Sequence, residues 1–328
     1  MWAMKSHVLG VGNALLDFQV KVPHAFLEKH KLSPGSMTLV DIETQKNFMA
    51  EMKAEFGKDN LAQSSGGCAA NTLAGLANFG ARARFLGKVA TDKFGNKYTA
   101  DLQSAGVDCD LHPGEGNTGT CLALITPDAE RTMLTHLGIA VELSKADIKE
   151  EEILNTELLY IEGYLWDSPS AREACLEAIK IANQNNIRVA FTYSDSFCVD
   201  RYQKDFVELT KNSLNVVFCN EAEAKHATNA RDVVEAFRIM KEWCDVVAIT
   251  CGPHGVLLSD RKAGIVEEVP TWSIKLVDKI GAGDLFASGM LYGLTHGHSL
   301  KECGLLGCYA ATRIVQQMST RLEGKISE

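Results

Sequence analysis

Short apolar, β-branched runs alternate with longer helical patterns along most of the chain, and no other feature constrains the fold as tightly. The runs at 7–11, 84–87, 158–161, 188–192, 216–219 and 246–250 read as buried strands. The stretches at 72–79, 93–105, 170–185, 232–243, 283–294 and 300–315 carry helical periodicity. A strand followed by a helix and then another strand returns over the sheet, so consecutive strands lie parallel. The expectation is a doubly wound, mostly parallel α/β sheet. Two regions, 18–41 and 118–137, break the rhythm, and in the second the runs 122–125 and 131–134 flank the turn Pro127-Asp128-Ala129-Glu130. They read either as ordinary surface hairpins or as antiparallel excursions, about 15–41 and 107–137, that form a small β-sheet lid over a substrate. No internal repeat or low-complexity linker divides the 328 residues, and 46% hydrophobic content suffices for one large core, so a single domain over 1–328 is expected.

Charge and cysteine usage exclude several classes of function. With 33 Lys and Arg against 42 Asp and Glu, the net charge is -9, which disfavours nucleic acid or an anionic membrane as a partner. An anionic ligand must therefore be held locally. The 10 cysteines are scattered singly with no C-x-x-C pair, so they are expected to be free thiols in a reducing, cytoplasmic setting. The first residues carry no signal-peptide pattern, and no run approaches the roughly 18 uncharged apolar residues of a membrane helix. A monomer or homodimer is expected.

The most informative motif is Gly281-Ala282-Gly283-Asp284, set just before a long apolar helix. Glycines at 281 and 283 let backbone N–H groups approach an oxyanion, and the helix presents its positive end there. Asp284 then faces whatever hydroxyl attacks phosphorus and can accept its proton. Taken alone, the same residues also describe a glycine-rich helix start with Asp in its favoured first turn. None of the Gly-Lys pairs at 57, 87 and 324 is followed by Ser or Thr, so there is no Walker A loop. Gly10-x-Gly12 and Gly281-x-Gly283 both fail to complete G-x-G-x-x-G, which argues against a dinucleotide-binding fold.

Two further clusters carry groups able to hold hydroxyls, though the first is a weak signal by itself and the second also reads as an ordinary strand-terminal turn. Gly66-Gly67-Cys68-Ala69-Ala70-Asn71 joins backbone donors to an amide side chain ahead of an apolar helix. Gly12-Asn13-Ala14-Leu15-Leu16-Asp17 ends a strand, and Asp17 can accept two hydrogen bonds from a cis-diol.

The order and separation of these three segments resemble the ribokinase-type (phosphofructokinase-B) family of carbohydrate and nucleoside kinases, over essentially the whole chain. The glycine-rich segment continues in the family manner through Gly80, Gly87, Asp92 and Gly95. The resemblance implies a ribokinase-like three-layer α/β/α fold with a small β lid, and phosphoryl transfer from ATP with Asp284 as base and Gly281, Ala282 and Gly283 as anion hole. Asn13, Asp17, Gly67, Cys68 and Asn71 are then the substrate residues. Asn220-Glu221-Ala222-Glu223 resembles the Asn-x-x-Glu that organises Mg²⁺, largely through water, in such kinases. Thr250-Cys251-Gly252-Pro253-His254-Gly255 resembles the nucleotide-side loop, with Gly252 and Gly255 permitting close backbone approach.

Within the family, Gly119-Thr120-Cys121 through Glu130-Arg131-Thr132-Met133, with Gly163-Tyr164-Leu165, is similar to adenosine kinases and related bacterial nucleoside kinases. Arg131 would neutralise phosphate charge on closure. Cys121, Met133 and Leu165 read equally as apolar walls for a purine or as plain core. A free-sugar kinase is the nearer alternative and a non-catalytic nucleotide or sugar sensor the more distant one. Two residues depart from the pattern. Lys279 replaces a Thr next to where some members seat a monovalent cation, so its ammonium either takes the place of that cation or points to solvent. Met37 stands where an animal adenosine kinase would place a purine-contacting Gln.

Overall fold

Strands buried on both faces need apolar side chains in both directions, and the runs of this chain supply them. The computed structural model describes residues 5–57, 60–128, 130–317, 319–322, 324 and 326. In chain order its strands are β1 (Ser6–Val11), β2 (Leu15–Lys21), β3 (Met37–Leu39), β4 (Ala62–Gly66), β5 (Ala83–Ala90), β6 (Val107–Gly114), β7 (Gly119–Ile125), β8 (Arg131–His136), β9 (Thr156–Glu162), β10 (Arg188–Thr192), β11 (Val216–Asn220), β12 (Val246–Thr250), β13 (Val256–Asp260) and β14 (Ile265–Val269). The helices are α1 (His24–Lys29), α2 (Ile42–Phe56), α3 (Cys68–Asn78), α4 (Lys93–Ser104), α5 (Glu150–Leu154), α6 (Pro169–Gln184), α7 (Ser196–Asn212), α8 (Glu221–Thr228), α9 (Val233–Met240), α10 (Ala282–Thr295) and α11 (Leu300–Ile314).

The main sheet has nine strands in the order β14-β13-β12-β11-β10-β9-β1-β5-β6, parallel throughout except at the two pairings of β13. Along β9, Leu159 and Ile161 face the layer of α6, α7, α8 and α9, while Leu158 and Tyr160 face the layer of α3, α4, α10 and α11. The same alternation runs through β11 and β12, as the two-residue side-chain period of a strand demands. Helix starts are locally encoded: Asp92 caps α4 by accepting from Gly95 N at 2.7 Å, and Ser299 and Glu302 form a capping box on α11. Asp92 also accepts from the Thr118 hydroxyl at 2.7 Å, which ties the entry of β7 to the main domain.

A second sheet, ordered β3-β8-β7-β2-β4, forms the expected lid. Its outer face, with Leu16, Phe18, Val20, Leu122, Leu124 and Leu134, packs on Met49 and Met52 of α2 and on Phe26 and Leu27 of α1. The intervening residues Leu15, Asp17, Cys121, Met133 and Thr135 face the main sheet across a cavity. This buried outer layer is why the region is a sheet and not a pair of loose hairpins. The β7–β8 pair is antiparallel as expected, but β2–β7 and β3–β8 are parallel. Ala129 of the expected turn lies outside the described residues, as do residues 1–4.

The lid does not begin at 107. Residues 107–114 are strand β6, paired in parallel with β5 from Ala83↔Val107 to Ala90↔Gly114. Val107, Cys109 and Leu111 pack on the α3/α4 layer, so this segment belongs to the main core. Strand β4, unexpected from the sequence, takes its place at the lid edge.

Candidate active site

The lid's inner face and the C-terminal ends of β1, β9, β10, β11 and β12 enclose a cavity of about 410 Å³. Open α/β sheets bind ligands at these strand ends, where helix N-termini converge, and the volume suits one small molecule (~300–1,000 Å³).

At one end lies the start of α10. Gly281 is its N-cap, with φ +76, a left-handed conformation in which a side chain is strained. Among the described residues no protein acceptor pairs with the N–H of Gly283 or Asp284, while Leu285 N already bonds Gly281 O at 2.8 Å. Those two amides and the positive helix end leave backbone donors free at the cavity, the chemistry that holds an anion. A Cβ placed on Gly283 would meet nothing within 4 Å, so the position is open to the cavity. Asp284 stands beside it and accepts from Asn71 Nδ2 at 3.0 Å. Loss of solvent in the cavity wall pushes its carboxyl up to about 6, against hydrogen bonds from Asn71 and the Cys68 thiol that hold it down. Asn71 reaches it because α3 crosses α10 closely: a Cβ on Gly75 would collide with Ser288 and Leu285. The Asn71 Oδ1 is buried and has no partner, which leaves an acceptor for a substrate hydroxyl.

At the other end Asp17 of β2 faces the cavity. Desolvation pushes its carboxyl up to about 7, opposed by the charges of Arg321 and Arg131 and reinforced by Asp284. Asn13 and Gly67 join it in the wall. Gly67 has φ +95 and abuts the Asn13 carbonyl, so no side chain is accommodated. These loops are held by Glu162, which no motif pointed to. Its Oε1 accepts from Asn13 N at 2.8 Å and Asn13 Nδ2 at 3.0 Å, and its Oε2 from Ala69 N at 2.8 Å. Burial pushes Glu162 up to about 7 against those hydrogen bonds.

On the third side, Asn220 and Glu223 form a capping box at the start of α8. Glu223 Oε2 accepts from Asn220 N at 3.0 Å and Oε1 from Asn220 Nδ2 at 2.5 Å. Glu223 is buried, and its desolvation pushes it up to about 7. Thr250 also lines the cavity. Gly252 is exposed on the surface outside it, and the close approach at Gly255 is to the main chain of Val269 and Pro270.

Of the apolar walls, Cys121 and Met133 line the cavity together with Met37, but Leu165 does not. It is 1% exposed and packs into the α6/α7 core, because the turn after β9 points Tyr164, one residue earlier, into the cavity. The Tyr164 hydroxyl is fixed by Asp195 Oδ2 at 2.9 Å. Arg131 likewise does not line the cavity. Its guanidinium is buried against Asp278, since a charge there requires a counter-charge, and this ion pair fastens β8 to the loop before the anion hole. Removing one partner of so buried a pair typically costs ~3–5 kcal/mol. The other Asp278 oxygen accepts from Ile280 N at 3.0 Å, so both carboxylate oxygens have protein partners. Lys279 is exposed and points to solvent. Thr320, from the segment after α11, was also missed: it packs over Gly281, and its buried hydroxyl has no partner.

All 10 cysteines are free, and among the described residues no helix is long and apolar enough to cross a membrane.

Comparison with known proteins agrees with this geometry. The model of the pfkB family carbohydrate kinases matches residues 36–325. A probable sugar kinase from Rhizobium etli superposes with a TM-score of 0.91 at 36% identity, covering 98% of this chain and 97% of that one. The adenosine kinase from Sinorhizobium meliloti superposes with a TM-score of 0.89 at 35% identity, covering 97% and 96%. The adenosine kinase of Saccharomyces cerevisiae is 29% identical over 333 residues, 96% of each chain. The family match runs from β3 of the lid through the start of α10 and beyond, so this chain belongs to the pfkB family of carbohydrate kinases and is an ATP-dependent phosphotransferase.

Proposed function

We propose that the enzyme phosphorylates the primary hydroxyl of a ribosyl substrate, foremost adenosine or a related nucleoside. The observation that carries this reading is the mixed lining of the cavity: the hydroxyl-binding groups Asp17 and Asn71 share it with an apolar wall of Leu15, Met37, Cys121, Met133 and Leu137, most of it on the lid's inner face beside Asp17. A free sugar has nothing to place against that wall. A heterocyclic base burying ~100 Å² of apolar surface there gains ~2.5 kcal/mol, or roughly 70-fold in kcat/KM.

In this mechanism Asp17 and Asn71 hold the ribosyl diol so that the primary hydroxyl meets Asp284, which takes its proton as the phosphoryl group transfers. The transition state is loose, so positioning and charge stabilisation supply most of the acceleration, the latter from the amides of Gly283 and Asp284 and the dipole of α10. Kinases of this family act on ATP with Mg²⁺, which neutralises phosphate charge when bound. The residues suit a hydrated ion: each Glu223 oxygen already accepts one hydrogen bond, and no group of three metal-ligating side chains occurs among the described residues. Glu223 and Asn220 would hold such an ion through water. Arg131 serves as a fastening of the lid to the anion-hole loop through its buried pair with Asp278.

The test is turnover with ATP across nucleosides and sugars. Adenosine should exceed ribose and fructose by about 10²-fold in kcat/KM. The similarity to a probable sugar kinase supports the second reading, a free-sugar kinase, and a higher kcat/KM for ribose or fructose would establish it in place of the first.

The pH dependence follows from the two carboxyls. Asp284 must be ionised to act as base and Asp17 to accept the diol, and their values are raised to about 6 and about 7. Activity is therefore present above these values and lost as pH falls through them. The kcat/KM for the nucleoside should rise between about pH 6 and 7 and level off above. A profile flat from pH 5 to 8 would contradict the assignment of both groups.

A further inference from the structure

The segment after α11 folds back across the molecule and passes the site at Thr320 and Arg321 before reaching Asn78 of α3. Thr320 lies over Gly281, at the anion hole, and the next side chain, Arg321, reaches the opposite, diol-binding end. Its Nη2 donates to the Ser65 carbonyl at 2.7 Å and to the Ser65 hydroxyl, and its Nη1 to Asp101 Oδ2 on α4 at 3.1 Å. Asp101 Oδ2 in turn accepts from Ser65 N at 2.6 Å and Ser65 Oγ at 2.5 Å. Ser65 is fully buried in β4 and precedes Gly66, where a Cβ would strike the Asp17 carboxylate. The strand that backs Asp17 is thus clamped by a side chain from the far end of the chain.

We propose that Arg321 is a positioning residue for the substrate hydroxyls, fixing β4 behind Asp17 and supplying the counter-charge that Asp17 needs. This rests on the reading of Asp17 as the diol acceptor. The charged and titratable groups facing Asp17 are Arg321, Arg131, Asp284, Cys121 and Tyr98. Of the two cations, Arg321 opposes the desolvation of Asp17 more strongly. Arg131 is already paired with Asp278, whereas Arg321 shares Asp101 with Ser65, and its Nε is buried without a partner. Without Arg321, Asp17 keeps its place on β2 but holds its proton to higher pH, because the carboxylate loses the cation that most opposes its desolvation.

The experiment compares wild type, D17N, R321Q and R321K with adenosine and ATP from pH 5 to 9. D17N tests the reading itself: an unchanged adenosine KM removes Asp17 from the diol site. With D17N impaired, R321Q should raise the adenosine KM at pH 7 roughly tenfold, leave the ATP KM within about threefold, and move the acidic limb of kcat/KM upward by about 0.5–1 pH unit. R321K should fall between wild type and R321Q, since an ammonium keeps the charge but not the two-sided grip. An acidic limb that stays in place in R321Q overturns the proposal whatever happens to KM. Should R321Q not fold, carboxyl ¹³C NMR of Asp17 in R321K and wild type decides: a higher titration midpoint in R321K supports the proposal and an identical one overturns it.

Discussion

Asp284→Ala is expected to lower kcat by about 10²–10⁴-fold, the usual contribution of a positioned general base, without lowering the melting temperature at pH 8. The two halves of this prediction have separate causes. In the proposed step the carboxylate takes the proton of the attacking hydroxyl beside two amides at the start of α10 that lack protein partners among the described residues, and alanine leaves no acceptor at that position. Its contribution to stability has the opposite sign. The folded-state value is raised from 3.8 to about 6, so the folded protein binds protons more tightly than the unfolded chain, and the stability this confers is lost as pH rises through about 6. At pH 8 the ionised group is a burden the alanine does not carry, which offsets the hydrogen bonds lost from Asn71 and Cys68. Circular dichroism melts and steady-state rates on the same preparation check both halves. Turnover within tenfold of wild type would remove Asp284 from the mechanism.

Gly283→Val should be nearly as damaging, by a route that leaves the base untouched. Gly283 has no conformational need to be glycine: its φ is not positive, and a Cβ would touch no protein atom within 4 Å. What the missing side chain leaves open is access to its own N–H from the cavity. Valine methyls there would keep a phosphate oxygen out of hydrogen-bonding distance, and loss of such a donor costs about 10²–10³-fold in rate. The expected result is that fall in kcat/KM for ATP, with adenosine affinity by calorimetry within about threefold and an unchanged melt. A full-speed G283V enzyme would mean that the phosphates approach from elsewhere.

What the sequence disclosed about the site was set by how its groups are spaced. Gly281, Gly283 and Asp284 lie in one short run at a helix start, where backbone geometry dictates which residues fit, and Asn13, Asp17 and Asn71 likewise lie beside glycines. Glu162 and Thr320 were invisible because each acts at a distance: Glu162 bonds a loop 149 residues away, and Thr320 meets Gly281 across the return of the C-terminal segment. Of the two readings open for Leu165, wall or core, core holds, since a strand that ends in a turn no longer keeps the two-residue alternation and Tyr164 takes the inward direction. Arg131, read as a charge for the phosphates, is instead buried against Asp278, 147 residues away, and nothing local to either residue announces the pair. At the level of the fold, the alternating runs determined the parallel sheet, whereas apolar alternation in 107–114 fits either sheet, and only pairing with β5 assigns it to the main one.

The contact between Asn71 and Asp284 joins residues 213 positions apart on two helices that must cross tightly at Gly75 and Ser288. During synthesis Asn13, Asp17 and Asn71 leave the ribosome long before the base on α10 and the clamp at Arg321 do. The site is therefore complete only when translation is nearly finished. Cutting the gene in the connection between α8 and α9 should yield two inert fragments whose reassembly is reported directly by recovered turnover.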